Sequence, residues 1–266
     1  MMKRLLTCFL ICFGLSAVAQ DYTSLAVIHE EAHLTAIDQL GNVYVVNKDN
    51  DLIKYNVSGK KESVYSNTTF GNIEQLDVKD PLRVVLYYPM YQQIVVLSNQ
   101  LTEISKYSFN NRSDSQITLV CSANNNGYWI YDQLNRELRK LSNSFSDLVN
   151  TKSLFQRNGL DMNAVYLDSN DEYVFINDKG AGIRIFDRFG NYFKVAVAAV
   201  DREFSVEGSK IYFTADHKLC SYDFRTFELQ EIKTPDRVGV IKFQKHQNHL
   251  LIIGEKELTL WSLIQK

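Results

Sequence analysis

The chain repeats one pattern of short apolar segments and polar turns, and this repeat constrains the fold more than any other feature. The stretch GNVYVVNKDNDLIKYNVSG, from Gly41 to Gly59, contains a turn, an apolar segment, a polar turn, an alternating segment and another turn. Six such units follow one another at a spacing of about 40 residues, which is typical of four-stranded β-propeller blades. The sequence therefore predicts an all-β fold, a single propeller of six blades. Long connections at SNTTFGN and NNRSDSQ leave five or seven blades as alternatives.

The composition of the repeated segments favours strands over helices. Val43–Val45, Val174–Ile176 and Ile211–Phe213 belong to runs of β-branched and aromatic residues bounded by Gly, Asn, Asp or Ser. The segment that follows in each unit, such as Ile183–Phe186, alternates apolar with polar residues, as expected of a strand with one packed face. The three prolines of the chain fall at or near proposed turns, where they remove no ladder hydrogen bond: Pro81, Pro89 and Pro235.

The two ends of the chain predict how the ring closes. The last unit supplies only three strand-like segments, the final one being Leu258–Leu263. An unmatched strand-like segment, Ser24–His29, precedes the first complete unit. Pairing this N-terminal strand with the last blade would complete a fourth strand and cover an exposed sheet edge. We therefore expect a propeller closed by its N-terminal strand.

Residues 1–19 have the composition of a cleavable secretory signal. Lys3 and Arg4 precede an apolar run from Leu5 to Leu15, and a small-x-small triplet ends at Ala19. The apolar run is shorter than the roughly 20 residues that cross a bilayer, so the sequence predicts cleavage after Ala19 rather than membrane insertion. The propeller domain is then residues 20–266.

The net charge bears on the class of partner, and the cysteine content bears on disulfide bonding. The net charge is −2 and no block of Lys or Arg occurs, so nucleic acid is not a predicted partner. Cys121 and Cys220 remain after cleavage of the signal, each in an apolar, strand-like segment. They are expected to be buried free thiols, with a disulfide as the alternative.

Two segments match metal-site patterns only superficially. HEEAH, His29 to His33, has the H-E-x-x-H spacing of zinc peptidases, which requires a helix. Here it follows a strand-like segment, and in extended backbone the two histidines would lie roughly 13 Å apart.

DSNDEY, Asp168 to Tyr173, resembles a calcium loop but has Tyr173 in place of the required glycine and Lys179 at position twelve. No metal and no cofactor is predicted.

Enzymatic motifs are not found in the sequence. It contains no nucleophile elbow and no glycine-rich phosphate loop, and His246 and His249 lie in a polar hairpin where solvation is the expected state. No catalytic residue is predicted, and the protein is not expected to be an enzyme. Residues contributed singly by several blades would escape such a search.

Two aromatic or amide-rich stretches are candidates for a protein-binding surface. LYYPMYQQ places large amphipathic side chains around Pro89 at a blade rim, and a run of three asparagines precedes a tryptophan. Tyr, Trp and Met are enriched in interface cores, and packing beneath the neighbouring blade is the alternative for these residues. The candidate partner-binding residues are Tyr87, Tyr88, Met90, Tyr91, Asn124, Asn125, Asn126 and Trp129.

The segments DPLRVVLYYPMYQQIVVLSNQL and LVCSANNNGYWIYDQLNRELRKLS resemble corresponding blades of a family of exported propeller proteins from the Bacteroidota. That family includes the plug subunit of the type IX secretion translocon. The resemblance implies a periplasmic, non-enzymatic protein that closes an idle pore in a large outer-membrane translocon barrel. The protein is expected to be monomeric when free. The alternative is an exported enzyme or glycan-binding propeller that uses the central channel.

Overall fold

The computed structural model describes residues 21–110, 114–196, 200 and 202–264. These residues form 24 strands in six four-stranded antiparallel sheets, with one short helix. The predicted six-bladed all-β propeller is confirmed. Across the described ranges, no helix has the length and apolar character needed to span a membrane.

The strands follow the chain in order, and the first one belongs to the last blade. Strand β1 is Tyr22–Ile28. Blade 1 contains β2 (Ala32–Ile37), β3 (Val43–Asn47), β4 (Leu52–Tyr55) and β5 (Lys61–Tyr65). Blade 2 contains β6 (Gln75–Asp80), β7 (Arg83–Tyr88), β8 (Gln93–Leu97) and β9 (Glu103–Ser108). Blade 3 contains β10 (Ile117–Ser122), β11 (Tyr128–Asp132), β12 (Glu137–Leu141) and β13 (Asp147–Asn150).

The second half of the chain continues the same order after a short helix. Helix α1 (Leu154–Asn158) lies between blades 3 and 4. Blade 4 contains β14 (Ala164–Ser169), β15 (Tyr173–Asp178), β16 (Gly182–Asp187) and β17 (Tyr192–Ala196). Blade 5 contains β18 (Phe204–Glu207), β19 (Lys210–Ala215), β20 (Lys218–Asp223) and β21 (Leu229–Glu231). Blade 6 contains β22 (Val240–His246), β23 (His249–Gly254), β24 (Leu258–Leu263) and β1.

The N-terminal strand closes the ring, as predicted. Strand β1 pairs antiparallel with β24, from Tyr22 opposite Leu263 to Ile28 opposite Leu258. Ala26 and Ile28 are buried in one apolar cluster with Leu258 and blade 1 residues. The pairing covers the outer edge of β24, and the buried side chains hold the last blade to the first.

The apolar core lies between the blades. The second strand of each blade is buried on both faces, because its sheet is stacked between two neighbouring sheets; all five residues of β11 are buried, for example. Between blades 1 and 2, Tyr44 and Leu52 pack with Leu86 and Val95. The sandwiched strands explain why the sequence shows continuous apolar runs there rather than strict alternation.

Strand direction assigns each turn to one of two faces of the ring. The strands of a blade are antiparallel, so the turns after its first and third strands lie on one face. The turns after the second strand, and the links to the next blade, lie on the other face. We call these the AB face, which includes residues 38–42 and 123–127, and the BC face, which includes residues 89–92 and 133–136.

Both described cysteines are free thiols rather than members of a disulfide, as the first of the two alternatives expected, although that alternative had both thiols buried. Cys121 is buried and Cys220 is only partly buried. Burial raises the pKa of the Cys121 thiol to about 12 and also raises the pKa of Cys220. With an aromatic disulfide reagent at pH 8, we expect Cys220 to react slowly and Cys121 at least about tenfold more slowly, since the thiolate is the reactive form. Rapid reaction of both thiols in the native protein would contradict this burial pattern.

Candidate functional site

Three of the predicted partner-binding residues are core residues, so their assignment to a binding surface is wrong. Tyr87 and Tyr88 are 0% exposed, and the Tyr87 hydroxyl donates a hydrogen bond to the Ile117 carbonyl of the next blade at 2.7 Å. Trp129 is buried in a cluster that includes Leu138. All three lie on second strands, where both faces of the sheet are covered by neighbouring blades, so the alternative of packing beneath a blade holds for them.

Met90 and Tyr91 lie at the surface of the BC face. They are 78% and 43% exposed, in a turn in which the Gln92 amide donates to the Pro89 carbonyl at 3.2 Å. The Tyr91 ring lies 6.5 Å from the Phe70 ring, in an edge-to-face arrangement. The Gln92 side chain accepts a hydrogen bond from the Ile117 amide at 3.0 Å, which ties the turn to blade 3. These contacts hold the turn, which carries two large exposed side chains, in a defined position.

The asparagine run lies on the opposite face of the ring. Asn125 and Asn126 are exposed in the turn between β10 and β11, with φ values of 56° and 57°. The Asn124 side chain accepts a hydrogen bond from Lys140. Because this turn follows a first strand and the Met90 turn follows a second strand, the structure does not bring the two predicted groups together.

Other exposed apolar side chains share the BC face with Met90. Leu134 lies in the corresponding turn of blade 3, whose Gln133 amide donates to the Gln116 carbonyl at 2.8 Å. Phe155, in α1, is exposed with the Arg136 guanidinium 4.9 Å from its ring. Sequence reasoning did not single out these two residues, because each is an isolated apolar residue in a polar segment. We call the set Met90, Tyr91, Leu134 and Phe155 the apolar arc.

The two metal-like sequence patterns have the non-helical and hairpin structures expected of them. Residues 29–31 connect β1 to β2, and His33 lies within β2, so the helix that the zinc pattern requires does not form there. Asn170 caps the hairpin between β14 and β15, accepting hydrogen bonds from the amides of Glu172 and Tyr173. No group of three or more His, Cys, Asp or Glu side chains with metal-binding geometry occurs within the described ranges.

The two histidines of the β22–β23 hairpin are not solvated as expected. Both are partly buried, and burial lowers the pKa of His246 and of His249. A Cβ on Gly41, whose φ is 81°, would lie 2.7 Å from the His249 ring, so blade 1 packs directly against this histidine. His246 points instead to the axis of the ring, where it lines the central channel.

A central channel with a cavity of about 350 Å³ lies on the axis of the ring. The first strands of all six blades surround it, which brings together residues far apart in the sequence. Sequence reasoning missed these residues because each blade contributes only a few of them; the available signal was the polar character of first strands such as LDVKD. Residues lining the channel include Thr35, Gln75, Asp77, Lys79, Val120, Cys121, Tyr166, Asp168, Phe204, Ser205, Lys242, Gln244 and His246.

Lys79 links three blades inside this channel. Its ammonium lies 2.7 Å from Asp168 Oδ1 in blade 4 and 3.3 Å from Asp77 Oδ2 in its own blade. It also donates to the carbonyls of Ser122 in blade 3, at 3.2 Å, and Ser169 in blade 4, at 3.0 Å. Burial raises the pKa of Asp168, and the Lys79 charge opposes that rise. Despite its own burial, the pKa of Lys79 is raised by the two carboxylates.

A second group of charges lies between the neighbouring blades 5 and 6, at and beside the channel wall. Lys242 pairs with Glu203 at 2.7 Å, and Lys245 pairs with Glu207 at 2.8 Å. The Gln244 side chain donates to the Thr35 carbonyl of blade 1 at 2.8 Å and to Glu203 at 3.2 Å. Each of these carboxylates therefore already has a cationic partner, an arrangement that suits binding and positioning better than proton transfer.

The described channel residues thus link blades 2, 3 and 4 around Lys79, and blades 5, 6 and 1 through Lys242, Lys245 and Gln244.

No protein-family model and no curated protein matches the sequence. Solved structures match over most of the chain. The WD40 domain of Pan2 from Neurospora crassa matches with a TM-score of 0.57 and 9% identity, covering 92% of this chain and 96% of that chain.

Two bacterial structures give similar matches. BamB from Moraxella catarrhalis has a TM-score of 0.51 and 10% identity, covering 86% of this chain and 81% of that chain. A catalytically inactive variant of virginiamycin B lyase from Staphylococcus aureus, solved with quinupristin, has a TM-score of 0.59 and 12% identity, covering 93% and 97%. At such low identities these matches show the fold alone: the chain is a β-propeller similar in architecture to these three proteins.

Proposed function

We propose that the protein is an exported, periplasmic and non-enzymatic propeller that binds a protein partner through its BC face. The exposed Met90 and Tyr91 side chains on a fixed turn carry this proposal. A long unbranched thioether and an amphipathic ring bury large areas on binding, and Met adapts to irregular partner surfaces. Because the turn is already held by Phe70 and blade 3, little conformational entropy is lost when a partner covers it.

The rest of the apolar arc extends this surface. Leu134 and Phe155 continue the exposed apolar side chains from blade 2 across blade 3 to the link with blade 4. Arg136 lies over the Phe155 ring, a contact that leaves a cation at the edge of the arc. An apolar centre with a charged rim is the usual composition of a protein interface.

The channel supports the non-enzymatic part of the proposal. Its carboxylates Asp77, Asp168 and Glu203 are each within 3.3 Å of a lysine ammonium, so they are held as charged partners.

The more specific role that fits a non-enzymatic, protein-binding propeller is the plug of the type IX secretion translocon. A ring of stacked sheets closed by β1 is a stiff disc, which can block a pore without refolding.

The partner surface predicts the outcome of a capture experiment. The tagged protein with Met90→Ser and Tyr91→Ser should recover at least about tenfold less partner from native envelope membranes than the unmodified protein, because two anchor residues are removed from the interface. Quantitative mass spectrometry of the captured proteins measures this ratio. A large outer-membrane protein among the lost partners would support the plug role.

A matched variant on the AB face controls for non-specific binding through exposed apolar side chains. Leu82 is an exposed apolar residue in the β6–β7 turn of the AB face, and Leu82→Ser should leave the captured proteins unchanged. Equal loss with Leu82→Ser, or full capture by the Met90 and Tyr91 variant, would refute binding through the BC face.

A further inference from the structure

The central channel has the size and composition of a small-molecule site, separate from the apolar arc. Its cavity of about 350 Å³ falls at the lower end of the range of ligand pockets. None of the four arc residues belongs to its wall, whereas all six blades contribute to it. The wall combines aromatic rings, amides and charged groups rather than apolar residues alone.

The three lysines of the wall are already paired, which favours a neutral ligand over one that binds at these lysines; Arg202, an exposed wall residue, has no ion pair among the described residues. Lys79, Lys242 and Lys245 are each paired with a carboxylate at 2.7–2.8 Å. A charged ligand that binds at one of these lysines would have to displace its carboxylate partner and leave that carboxylate without a counter-charge, which is costly in a partly buried site. A neutral ligand can use the remaining lone pairs and N–H groups while the ion pairs stay intact.

Two side-chain oxygens on one side of the cavity wall have no hydrogen-bond partner among the described residues. Thr35 is 6% exposed and its hydroxyl oxygen has no hydrogen-bond partner among the described residues. The same holds for the side-chain oxygen of Gln244, whose amide nitrogen bonds to the Thr35 carbonyl. Buried polar atoms are normally satisfied, so adjacent unpartnered oxygens in a cavity wall indicate a site for hydroxyl or amide donors.

An aromatic surface lies in the same wall. Tyr166, from blade 4, and Phe204, from blade 5, are in edge-to-face contact with ring centroids 5.1 Å apart. Both residues line the cavity. Burial raises the pKa of Tyr166 well above its ordinary value, so its hydroxyl stays a neutral donor and acceptor.

We infer that the central channel binds a neutral polyhydroxylated molecule, a mono- or disaccharide, between the Tyr166–Phe204 rings and the Thr35–Gln244 side. The C–H faces of a sugar ring pack on aromatic rings, and its hydroxyl groups supply both donors and acceptors to amides and ion-paired carboxylates. This site goes beyond the proposed protein partner, because it uses different residues on the axis of the ring.

The test measures binding of defined sugars to the purified full-length mature protein. The neutral probes are D-glucose, D-galactose, N-acetyl-D-glucosamine and maltose, and the charged probes are D-glucuronate and D-glucosamine. Saturation-transfer NMR detects contact, and calorimetric titration gives the affinity. We expect at least one neutral sugar to saturate the protein below about 50 mM and to bind at least about tenfold more tightly than its charged analogue.

Variants locate the binding in the channel. Tyr166→Ala and Gln244→Ala should each weaken binding of that sugar at least about tenfold, whereas Met90→Ser should not change it. Tyr166→Phe, which keeps the ring, supplies a second measurement if Tyr166→Ala does not fold; it should keep the ring contact and weaken binding by less. Thermal unfolding monitored by circular dichroism verifies that each variant is folded.

Any of three other outcomes would overturn the inference. Absence of saturation by all four neutral sugars removes the ligand class, and tighter binding of glucuronate or glucosamine replaces it with a charged one. Binding that is unchanged in both Tyr166→Phe and Gln244→Ala would place the sugar outside the channel. Loss of protein capture in the Met90 and Tyr91 variant, with sugar binding intact, would show that the two sites are independent.

Discussion

Ile28→Asp is expected to abolish the cooperative thermal unfolding of the propeller at neutral pH. Ile28 is 3% exposed and packs in the cluster that joins blade 6 to blade 1. The substitution removes a buried aliphatic side chain and places a carboxylate in apolar surroundings, at a cost of at least about 4 kcal/mol. That is a large share of the 5–15 kcal/mol by which folded domains are typically stable.

The neighbouring residue provides the control for this experiment. Val27 lies on the same strand but points to the opposite side and is 44% exposed. Val27→Asp introduces the same charge one residue away and should lower the melting temperature only slightly, because the carboxylate stays in water. Circular dichroism melting curves of the two variants compare them directly. Similar curves would mean that β1 does not hold the ring closed.

The fold was largely predictable because the information that specifies it is local and repeated. The second strands β3, β15 and β19 contain the apolar runs that sequence analysis identified, since sheets stacked on both sides require apolar residues at every position. The helix α1 was not predicted. Its five residues are too few for a periodic pattern, and its boundaries depend on the Ser153 cap and the left-handed Gly159.

The candidate sites were predictable only in part, for two physical reasons. Tyr88 and Met90 are two residues apart and equally conspicuous in the sequence, but the strand ends between them, so one is buried and the other exposed. Composition alone does not fix that boundary. Lys79 and Asp168 are 89 positions apart and meet only because the first strands of blades 2 and 4 both line the channel, so no local pattern could join them.

Lys79→Met is expected to destabilise the protein by about 3–5 kcal/mol at neutral pH. The substitution keeps the length and apolar part of the side chain but removes the charge that Asp77 and Asp168 share. Removing one partner of a buried ion pair leaves the other charges uncompensated, and here two carboxylates lie near the ammonium that is lost. The carbonyls of Ser122 and Ser169 also lose their donor. Chemical denaturation at pH 7 measures the loss.

The loss of stability caused by Lys79→Met is expected to depend on pH in a definite direction. Burial already raises the folded-state pKa of Asp168, and Lys79 counteracts that rise in the unmodified protein. In the Lys79→Met variant the folded pKa of Asp168 rises further, while its unfolded value stays near about 3.9. The loss of stability caused by Lys79→Met is therefore largest above the folded-state pKa of Asp168. It becomes smaller as the pH falls through that pKa towards the unfolded-state value. Stability of the variant relative to the unmodified protein should improve between pH 7 and pH 4.5.

Two further variants distinguish the channel charges from salt bridges in general. Lys48 pairs with Glu31 at 3.5 Å on the surface, with both side chains largely exposed, so Lys48→Met should cost at most about 1 kcal/mol. Adding Asp168→Asn to Lys79→Met removes the carboxylate that lost its partner, and we expect it to recover part of the stability and to flatten the pH dependence. A double variant that keeps the full pH dependence would show that a group other than Asp168 carries it. A Lys79→Met variant no less stable than Lys48→Met would mean that the three-blade link contributes nothing, and that the first strands are held in place by the apolar contacts between blades alone.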